Sequence, residues 1–229
     1  MGALISVDNI LPFQPSSFIE LVDSMGSEDS IVRSARVSFN NDRTGYFPER
    51  DAKLVKYLRD NAHWSPFEHV VFTFHVGCPV FVAREWQRHK SWSFNEVSAR
   101  YTAVTDSFYR PEWREQSKSN RQGSVEADPE LEACAEEALA SMDEAMWRSY
   151  GAYVKAIEAG LAREVARCVL PVGMYTRFYA TASLRSIIHF LQQRMSPLAQ
   201  KEIRLYAETI HRMLIPDFPN ALGGLVHHD

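Results

Sequence analysis

One segment constrains the fold of this chain more than any other. Residues 69–76 read His-Val-Val-Phe-Thr-Phe-His-Val. Because successive side chains of a β-strand point to opposite faces, this alternation predicts a strand whose Val70, Phe72, Phe74 and Val76 share one apolar face. Such a face must be covered, and helical periodicity elsewhere in the chain supplies the cover. We therefore predict the α+β class, with a central antiparallel-type sheet flanked by helices.

The remaining segments are mostly helical in their periodicity and capping patterns. A Ser-x-x-Glu capping box at Ser17 and further serine caps are typical helix starts. The predicted helices cover residues 17–25, 28–36, 51–61, 79–89, 128–160, 162–169, 183–193 and 196–215. A second strand is predicted at residues 172–180, whereas residues 91–101 and 114–127 are expected to be irregular. Since there is no internal repeat or low-complexity linker, residues 1–229 are expected to form one domain.

The charge balance differs between two parts of the chain. The 25 Lys and Arg residues and the 29 Asp and Glu residues give a net charge of −4. Residues 115–147 hold nine acids and two bases, whereas residues 163–212 hold eight bases and three acids. The basic part suits small phosphate-bearing ligands, while the overall charge argues against a long polyanion such as a nucleic acid.

The features that report on compartment favour a cytoplasmic protein without a membrane partner. No apolar run approaches the roughly 20 residues that cross a bilayer, and the first residues lack the basic start and cleavage site of a signal peptide. Cys78, Cys134 and Cys168 are far apart and form no Cys-x-x-Cys pair, so we expect buried, reduced cysteines. No metal site is predicted, because the histidines between residues 63 and 75 lack acidic partners at ligand spacing.

Residues 84–101 carry the densest set of chemically useful side chains. Arg84 and Arg88 lie four residues apart on one predicted helix face, where two cations favour a nearby anion or carboxylate. The following loop is rich in serine, asparagine and lysine donors, which suit a phosphate, and its aromatic residues suit a base or a flavin. Two other interpretations remain open. The aromatics of the loop would fill the core, or residues 84–114, with a net charge of only +2, would bind single-stranded nucleic acid.

Within this segment, Arg88-His89-Lys90, seven further residues and then Ser98 resemble the R-H-R-x₇-S motif of flavin-dependent thymidylate synthases. The resemblance continues through Asn95-Glu96 and through Ser98-x-Arg100-Tyr101. Further segments are similar to those of the family in the same order: residues 35–39, 63–69, 163–171 and 183–194.

The resemblance implies an FAD-dependent methyltransferase of nucleotide biosynthesis, with a mixed α/β fold. Its reaction is the reductive methylation of dUMP to dTMP. Methylenetetrahydrofolate is the carbon donor, and FAD reduced by NADPH is the hydride donor. Family members are homotetramers whose active sites lie between subunits. A flavin-binding protein without synthase activity is the alternative within this resemblance.

The resemblance also assigns roles to individual residues. The implied dUMP-binding residues are Glu85, Trp86, Gln87, Arg88, Glu96, Val97, Ser98, Ala99, Arg100, Arg167 and Arg194. The implied FAD-binding residues are Ser38, His63, Ser65, Arg88, His89, Lys90, Glu96, Ser183, Leu184, Arg185 and His189. Arg194 is the expected catalytic residue, because a fixed cation at the pyrimidine edge stabilises negative charge that develops on the uracil ring.

Three positions depart from the family pattern, and at a fourth, Ser98, the sequence restricts the role that can be assigned. Lys90 stands where the family usually has arginine, so the charge is kept and the planar fork is lost. Glu85 stands where a glutamine is usual, and a carboxylate suits holding Arg84 or Arg88 better than contacting a phosphate. Ser183 stands where asparagine is frequent, and a serine there suits a helix cap. Ser98 has no adjacent base in the sequence that would make it a nucleophile, so we assign it to positioning.

Overall fold

The structure is a computed structural model that describes residues 5–12, 14–38, 48–126, 128 and 132–225. The strands are β1 (Ile5–Asp8), β2 (Phe18–Met25), β3 (Val71–Pro79), β4 (Ser93–Glu96), β5 (Arg114–Gln116), β6 (Ser124–Glu126) and β7 (Tyr175–Ser183). Five of them form one antiparallel sheet in the order β1-β2-β3-β7-β4, and β5 pairs with β6 in a separate hairpin. The predicted α+β class with an antiparallel sheet is confirmed.

Helices flank this sheet. They are α1 (Glu28–Val37), α2 (Pro48–Asp60), α3 (Val80–Trp86), α4 (Glu132–Glu158), α5 (Arg163–Ala166), α6 (Leu184–Arg194), α7 (Lys201–Leu214) and α8 (Pro219–Leu222). Two 3₁₀ helices cover Ser65–His69 and Arg167–Val169. Within the described ranges, no helix is both long and apolar enough to span a bilayer.

The core forms on the face of the sheet that the sequence predicted. Val70, Phe72, Phe74 and Val76 are at most 2% exposed, and they belong to one buried cluster with residues of α6 and α7. Trp86 lies fully buried in the same cluster, with its rings against several other aromatic residues. The alternating pattern predicts this face correctly because β3 lies between β2 and β7 in the sheet and buries one face along its length.

The helix predicted at residues 17–25 is wrong, since these residues form β2. The Ser17 hydroxyl does not cap a helix. It donates to the Gln14 carbonyl at 2.6 Å and accepts from the Leu11 amide at 3.0 Å, which closes a buried turn before the strand. β2 pairs with β1 on one side and with β3 on the other, and these ladders override the local capping pattern.

Further boundaries differ from the prediction, and the second predicted strand, given as residues 172–180, is β7 at Tyr175–Ser183. The segment expected to be irregular at residues 91–101 contains β4, which pairs with β7. The segment at residues 114–127 contains the β5–β6 hairpin, whose strands have only three residues each. The last long helix begins at Lys201 and not at residue 196, because residues 196–199 form a turn closed by the Ala199 amide on the Ser196 carbonyl. Cys78 is buried as expected, but Cys134 on α4 is exposed, and so is Cys168, which lies beside a cavity at the start of β7.

The long helix α4 has an apolar side that is only partly buried. Ala135 and Tyr153 are buried, but Met142 is 50% exposed and the nearby Trp147 is 49% exposed. The predicted start of the helix at residues 129–131 lies outside the described residues. The helix therefore leaves Met142 and Trp147 half-exposed, although the Trp147 ring also packs against Phe108.

The second face of the sheet is also open along β7 and β4. Core-facing residues alternate on β7 with exposed ones, among them Arg177 and Tyr179, the latter 45% exposed. Asn95, which pairs with Tyr179 across the ladder, is exposed as well. The candidate site lies at the end of this open face.

Candidate active site

A cavity of about 1130 Å³ opens at the start of β7. Its walls include the loop Glu96–Ala99 after β4, the turn at Arg167 and the first residues of β7, together with residues before β2, on α3 and at 102–107. The loop is fixed to the strand, because the Val97 amide donates to the Arg177 carbonyl at 2.9 Å. The volume is slightly above the usual range for small-molecule pockets, so the cavity has room for a ligand as large as a nucleotide.

Three arginines line this cavity without a partner for their side chains. Arg84, Arg167 and Arg177 are exposed, and the part of the chain that the structure describes offers their guanidinium groups no hydrogen bond or ion pair. Unpaired guanidinium groups around one cavity repel one another and favour an anionic ligand. Arg167 was expected here, Arg84 was considered as part of an anion site, and Arg177 was missed.

The carboxylates at the cavity are engaged elsewhere. Glu96 accepts from the Thr176 hydroxyl at 2.6 Å and from the Gln87 amide at 3.2 Å. Glu164 pairs with Arg100 at 3.2 Å, and both side chains are more than half exposed. An exposed ion pair of this kind contributes little to stability, so Glu164 does not hold Arg100 tightly. The cavity is therefore electrostatically positive, although the whole chain is acidic.

Ser98 holds the loop in shape. Its hydroxyl accepts from the Arg100 amide at 3.3 Å, and its carbonyl accepts from the amides of Tyr101 and Thr102. No base among the described residues bonds to this hydroxyl. Trp86, by contrast, is buried in the aromatic core, so its indole does not line the cavity.

A second cluster forms where helices α3 and α6 end. Arg194, the last residue of α6, donates from Nη1 to Glu85 Oε2 at 3.0 Å and from Nη2 to the Glu85 carbonyl at 3.2 Å. Its Nε donates to His89 Nε2 at 3.0 Å. The expectation that Glu85 holds Arg84 or Arg88 is therefore wrong, since on the end of α3 its carboxylate faces Arg194 across the helix pair.

His89 is neutral in this cluster. Burial, with the positive charge of Arg194 and the neighbouring His189, lowers the pKa of His89 to about 4. Because an arginine always donates, His89 Nε2 must be the bare acceptor nitrogen, which places the ring proton on Nδ1. The imidazole is thus a hydrogen-bond acceptor for Arg194 and not a second cation.

This state of His89 gives a testable prediction. We expect the ¹³Cε1 signal of His89 to stay at its neutral position from pH 5.5 to 8, whereas an ordinary histidine titrates near a pKa of about 6.5. The unfolded chain binds a proton here below about pH 6.5 and the folded chain does not, so stability should fall as the pH drops from about 6.5 towards 4. Histidine-selective NMR, with His89→Asn for assignment, measures the first effect. A His89 signal that titrates near pH 6.5 would contradict the neutral acceptor.

Three of the expected flavin residues, Ser183, Leu184 and Arg185, form a third group at the other end of β7. Ser183 caps α6 by accepting from the Ser186 amide at 3.4 Å, as predicted. Arg185 pairs at 3.0 Å with Glu68 of the 3₁₀ helix that begins at Ser65. Leu184 is buried, and its amide donates to the Val70 carbonyl at 2.7 Å.

The other expected flavin residues lie on neighbouring elements. His63 is exposed and its ring touches the Tyr57 ring, just before the 3₁₀ helix. Ser38 is the exposed C-cap of α1, and α1 packs against that same 3₁₀ helix. His189 is exposed on α6, with its ring 5.9 Å from the His89 ring.

Two cations of the Arg88-His89-Lys90 run are also unengaged. Arg88 and Lys90 are exposed, and within the described ranges neither side chain has a hydrogen-bond or ion-pair partner. They flank the buried His89, so both sides of this turn present positive charge to solvent.

These features first define a class: the chain is an α+β protein whose antiparallel sheet has a cavity lined by arginines at one strand end. The family model described as thymidylate synthase complementing protein matches residues 20–220. A flavin-dependent thymidylate synthase of Thermus thermophilus is 43% identical over 219 residues, which is 95% of this chain and 78% of the relative.

Two further comparisons agree. A flavin-dependent thymidylate synthase of Thermotoga neapolitana is 44% identical over 203 residues, 89% of this chain and 88% of the relative. The crystal structure of the UMP/dUMP methylase PolB from Streptomyces cacaoi, bound with 5-Br dUMP, has a TM-score of 0.81 at 33% identity and covers 89% of this chain and 92% of that chain. The chain belongs to the flavin-dependent thymidylate synthase family, and the resemblance found in the sequence is confirmed.

Proposed function

We propose that this chain is a thymidylate synthase that reductively methylates dUMP to dTMP, with methylenetetrahydrofolate as the carbon donor and NADPH as the reductant of bound FAD. The observation that supports it most is the cavity of about 1130 Å³, where three arginines without a partner among the described residues lie beside the loop Glu96–Ala99. A nucleotide monophosphate supplies the dianion that these arginines lack. A cytoplasmic location belongs to the same proposal, since the reactants are charged metabolites.

In this proposal the dUMP phosphate binds the cationic wall of the cavity. Arg167 and Arg100 are its main partners, because a guanidinium grips a phosphate with parallel hydrogen bonds. We add Arg84 and Arg177, which line the same cavity and pair with no carboxylate of the described residues. Ser98 and its neighbours hold the loop that borders the nucleotide.

Arg194 is proposed to act on the pyrimidine. Three contacts fix its guanidinium in advance of substrate, and the side chain is 20% exposed, so part of it reaches solvent. A cation that is already oriented stabilises developing negative charge on the uracil ring without reorganisation at the moment of reaction.

Two parts of the chain are proposed to bind the flavin dinucleotide. Ser183 and Arg185 lie at the first turn of α6 with polar atoms near the surface. Arg88 and Lys90 flank His89 near the other end of that helix, and as exposed cations without a partner among the described residues they suit the flavin phosphates. When bound, FAD supplies the hydride of the reaction. The contribution of the chain is to bind this group and orient it towards the nucleotide.

We propose a homotetramer with active sites between subunits. Ser183 and Thr176 are seven residues apart on β7, about 24 Å at about 3.4 Å per residue, so one chain holds the two groups at opposite ends of a strand. A second copy that packs on the open sheet face would bring its flavin group to this cavity. The exposed Met142 and Trp147 on α4 offer the apolar contact such an assembly needs.

The purified protein gives a direct test. We expect it to take up FAD and turn yellow, NADPH to bleach the colour slowly, and dUMP to speed that bleaching. A matched control is dCMP, whose phosphate is the same and whose base edge differs. A colourless protein that does not take up FAD would contradict both the synthase and the alternative of a flavin-binding protein without synthase activity.

A further inference from the structure

Glu85 provides the charged contact that holds Arg194. Arginine has five N–H donors, and three of them are used here: two on Glu85 and one on His89. One N–H on each Nη atom is left for a ligand. Of the three acceptors, only the Glu85 side-chain carboxylate carries a negative charge, since His89 is neutral and the third is a backbone carbonyl.

The environment of Glu85 makes this contact its main one. Its side chain is 25% exposed, and its Oε1 is enclosed without a hydrogen-bond partner among the described residues. Burial raises the pKa of Glu85, the charge of Arg194 opposes that rise, and Glu202 adds to it. Arg194 compensates the negative charge of this half-buried carboxylate, and the carboxylate in turn fixes the orientation of the guanidinium.

Glu85 is also badly placed to contact a phosphate. The described residues that line the nucleotide cavity include its neighbour Arg84 but not Glu85 itself. Successive residues of a helix point about 100° apart, so one turns to the cavity and the next to Arg194. A carboxylate directed at the phosphate would repel it, whereas beside Arg194 it fixes a cation.

We propose that Glu85 is a positioning residue for the reaction, which acts on the substrate through the orientation of Arg194 and makes no contact with the dUMP phosphate. The inference rests on the proposed function, because it takes Arg194 to meet the pyrimidine. Its consequence is a defined kinetic pattern. Loss of the carboxylate oxygen that accepts from Nη1 leaves Arg194 free to rotate, which lowers the chemical rate and leaves the grip on the phosphate intact.

The test compares Glu85→Ala and Glu85→Gln. We expect Glu85→Ala to lower kcat on the order of 10- to 100-fold, the usual cost of a misplaced catalytic group, with KM for dUMP within about threefold. Glu85→Gln keeps an oxygen that accepts from Nη1, so it should stay within about threefold of the wild type. Glu208→Ala, which removes a carboxylate 3.9 Å from an arginine on α7, is the matched control and should leave kcat unchanged. Retained FAD absorbance shows that each variant is folded.

The same substitution in a second background isolates the coupling. The second background is Arg194→Lys, which keeps the charge and loses the planar guanidinium. In this background Glu85→Ala should lower the single-turnover rate of tritium release from C5 of labelled dUMP by less than about threefold, because there is no guanidinium left to orient. The proposal would be overturned if Glu85→Ala lowered the rate by the same factor in the Arg194→Lys background as in the wild type. A change confined to KM for dUMP, or an alanine variant with wild-type kcat, would overturn it as well. A wild-type protein that forms no dTMP would instead contradict the proposed function itself.

Discussion

Replacing Arg194 with alanine should lower the rate of dTMP formation on the order of 100- to 1,000-fold, while FAD stays bound and the protein stays folded. The guanidinium is fixed by Glu85 and His89 before substrate arrives, so its loss removes a preorganised charge and little binding area. Steady-state kinetics with saturating dUMP measures kcat, and flavin absorbance after gel filtration measures retained FAD.

The control for this substitution is Arg204→Ala on α7, which removes an arginine that contacts Glu208 at 3.9 Å and the Pro197 carbonyl at 3.3 Å. It should leave kcat within about twofold, as surface substitutions generally do. If Arg194→Ala keeps wild-type turnover, the electrostatic role assigned to this residue is wrong. A variant that loses FAD as well would show that Arg194 supports the flavin group and not only the pyrimidine.

Two inactive variants should restore activity when their subunits are mixed. Arg167→Glu reverses a charge in the nucleotide cavity, and Arg185→Glu reverses one in the flavin group at the opposite end of β7. If each site takes one group from each of two subunits, random exchange in a symmetric assembly leaves about a quarter of the sites intact. Activity is measured after the two proteins are unfolded together and refolded.

Each variant refolded alone serves as the control and should remain inactive. A mixture that also remains inactive, although size-exclusion chromatography shows mixed oligomers, would place both groups in sites made by one chain. The separation of about 24 Å along β7 would then have to be bridged within one subunit, and the proposal of active sites between subunits would fail.

The parts of the fold that were predictable are those whose signal is local and strong. The alternation at residues 69–76 identified β3 and its buried face, and Ser183 was correctly predicted as the cap of α6. β2 was predicted as a helix because its pairing partners, β1 and β3, lie elsewhere in the sequence and outweigh the capping pattern at Ser17. The four-residue β4 was missed for the same reason, since pairing with β7 decides it.

In the candidate site, too, only the features with a local signal could be predicted. The motif around Arg88 and Ser98 could be found in the sequence because its residue types and spacing are unusual together. The contact between Glu85 and Arg194 was not, because it joins the ends of two helices that are 109 residues apart in sequence. Arg177 had a weaker signal: it lies on an alternating strand whose exposed face borders the cavity, and only the fold shows that this face meets the loop after Glu96.

The most direct test of the central claim is release of tritium from the pyrimidine C5 position of labelled dUMP, with FAD, NADPH and methylenetetrahydrofolate present. A thymidylate synthase must replace this hydrogen with a methyl group, so the account predicts label in water in step with dTMP. Omission of methylenetetrahydrofolate, the carbon donor, should abolish dTMP. A yellow protein that oxidises NADPH but never releases the label or forms dTMP would contradict the account and leave a flavin-binding protein without synthase activity.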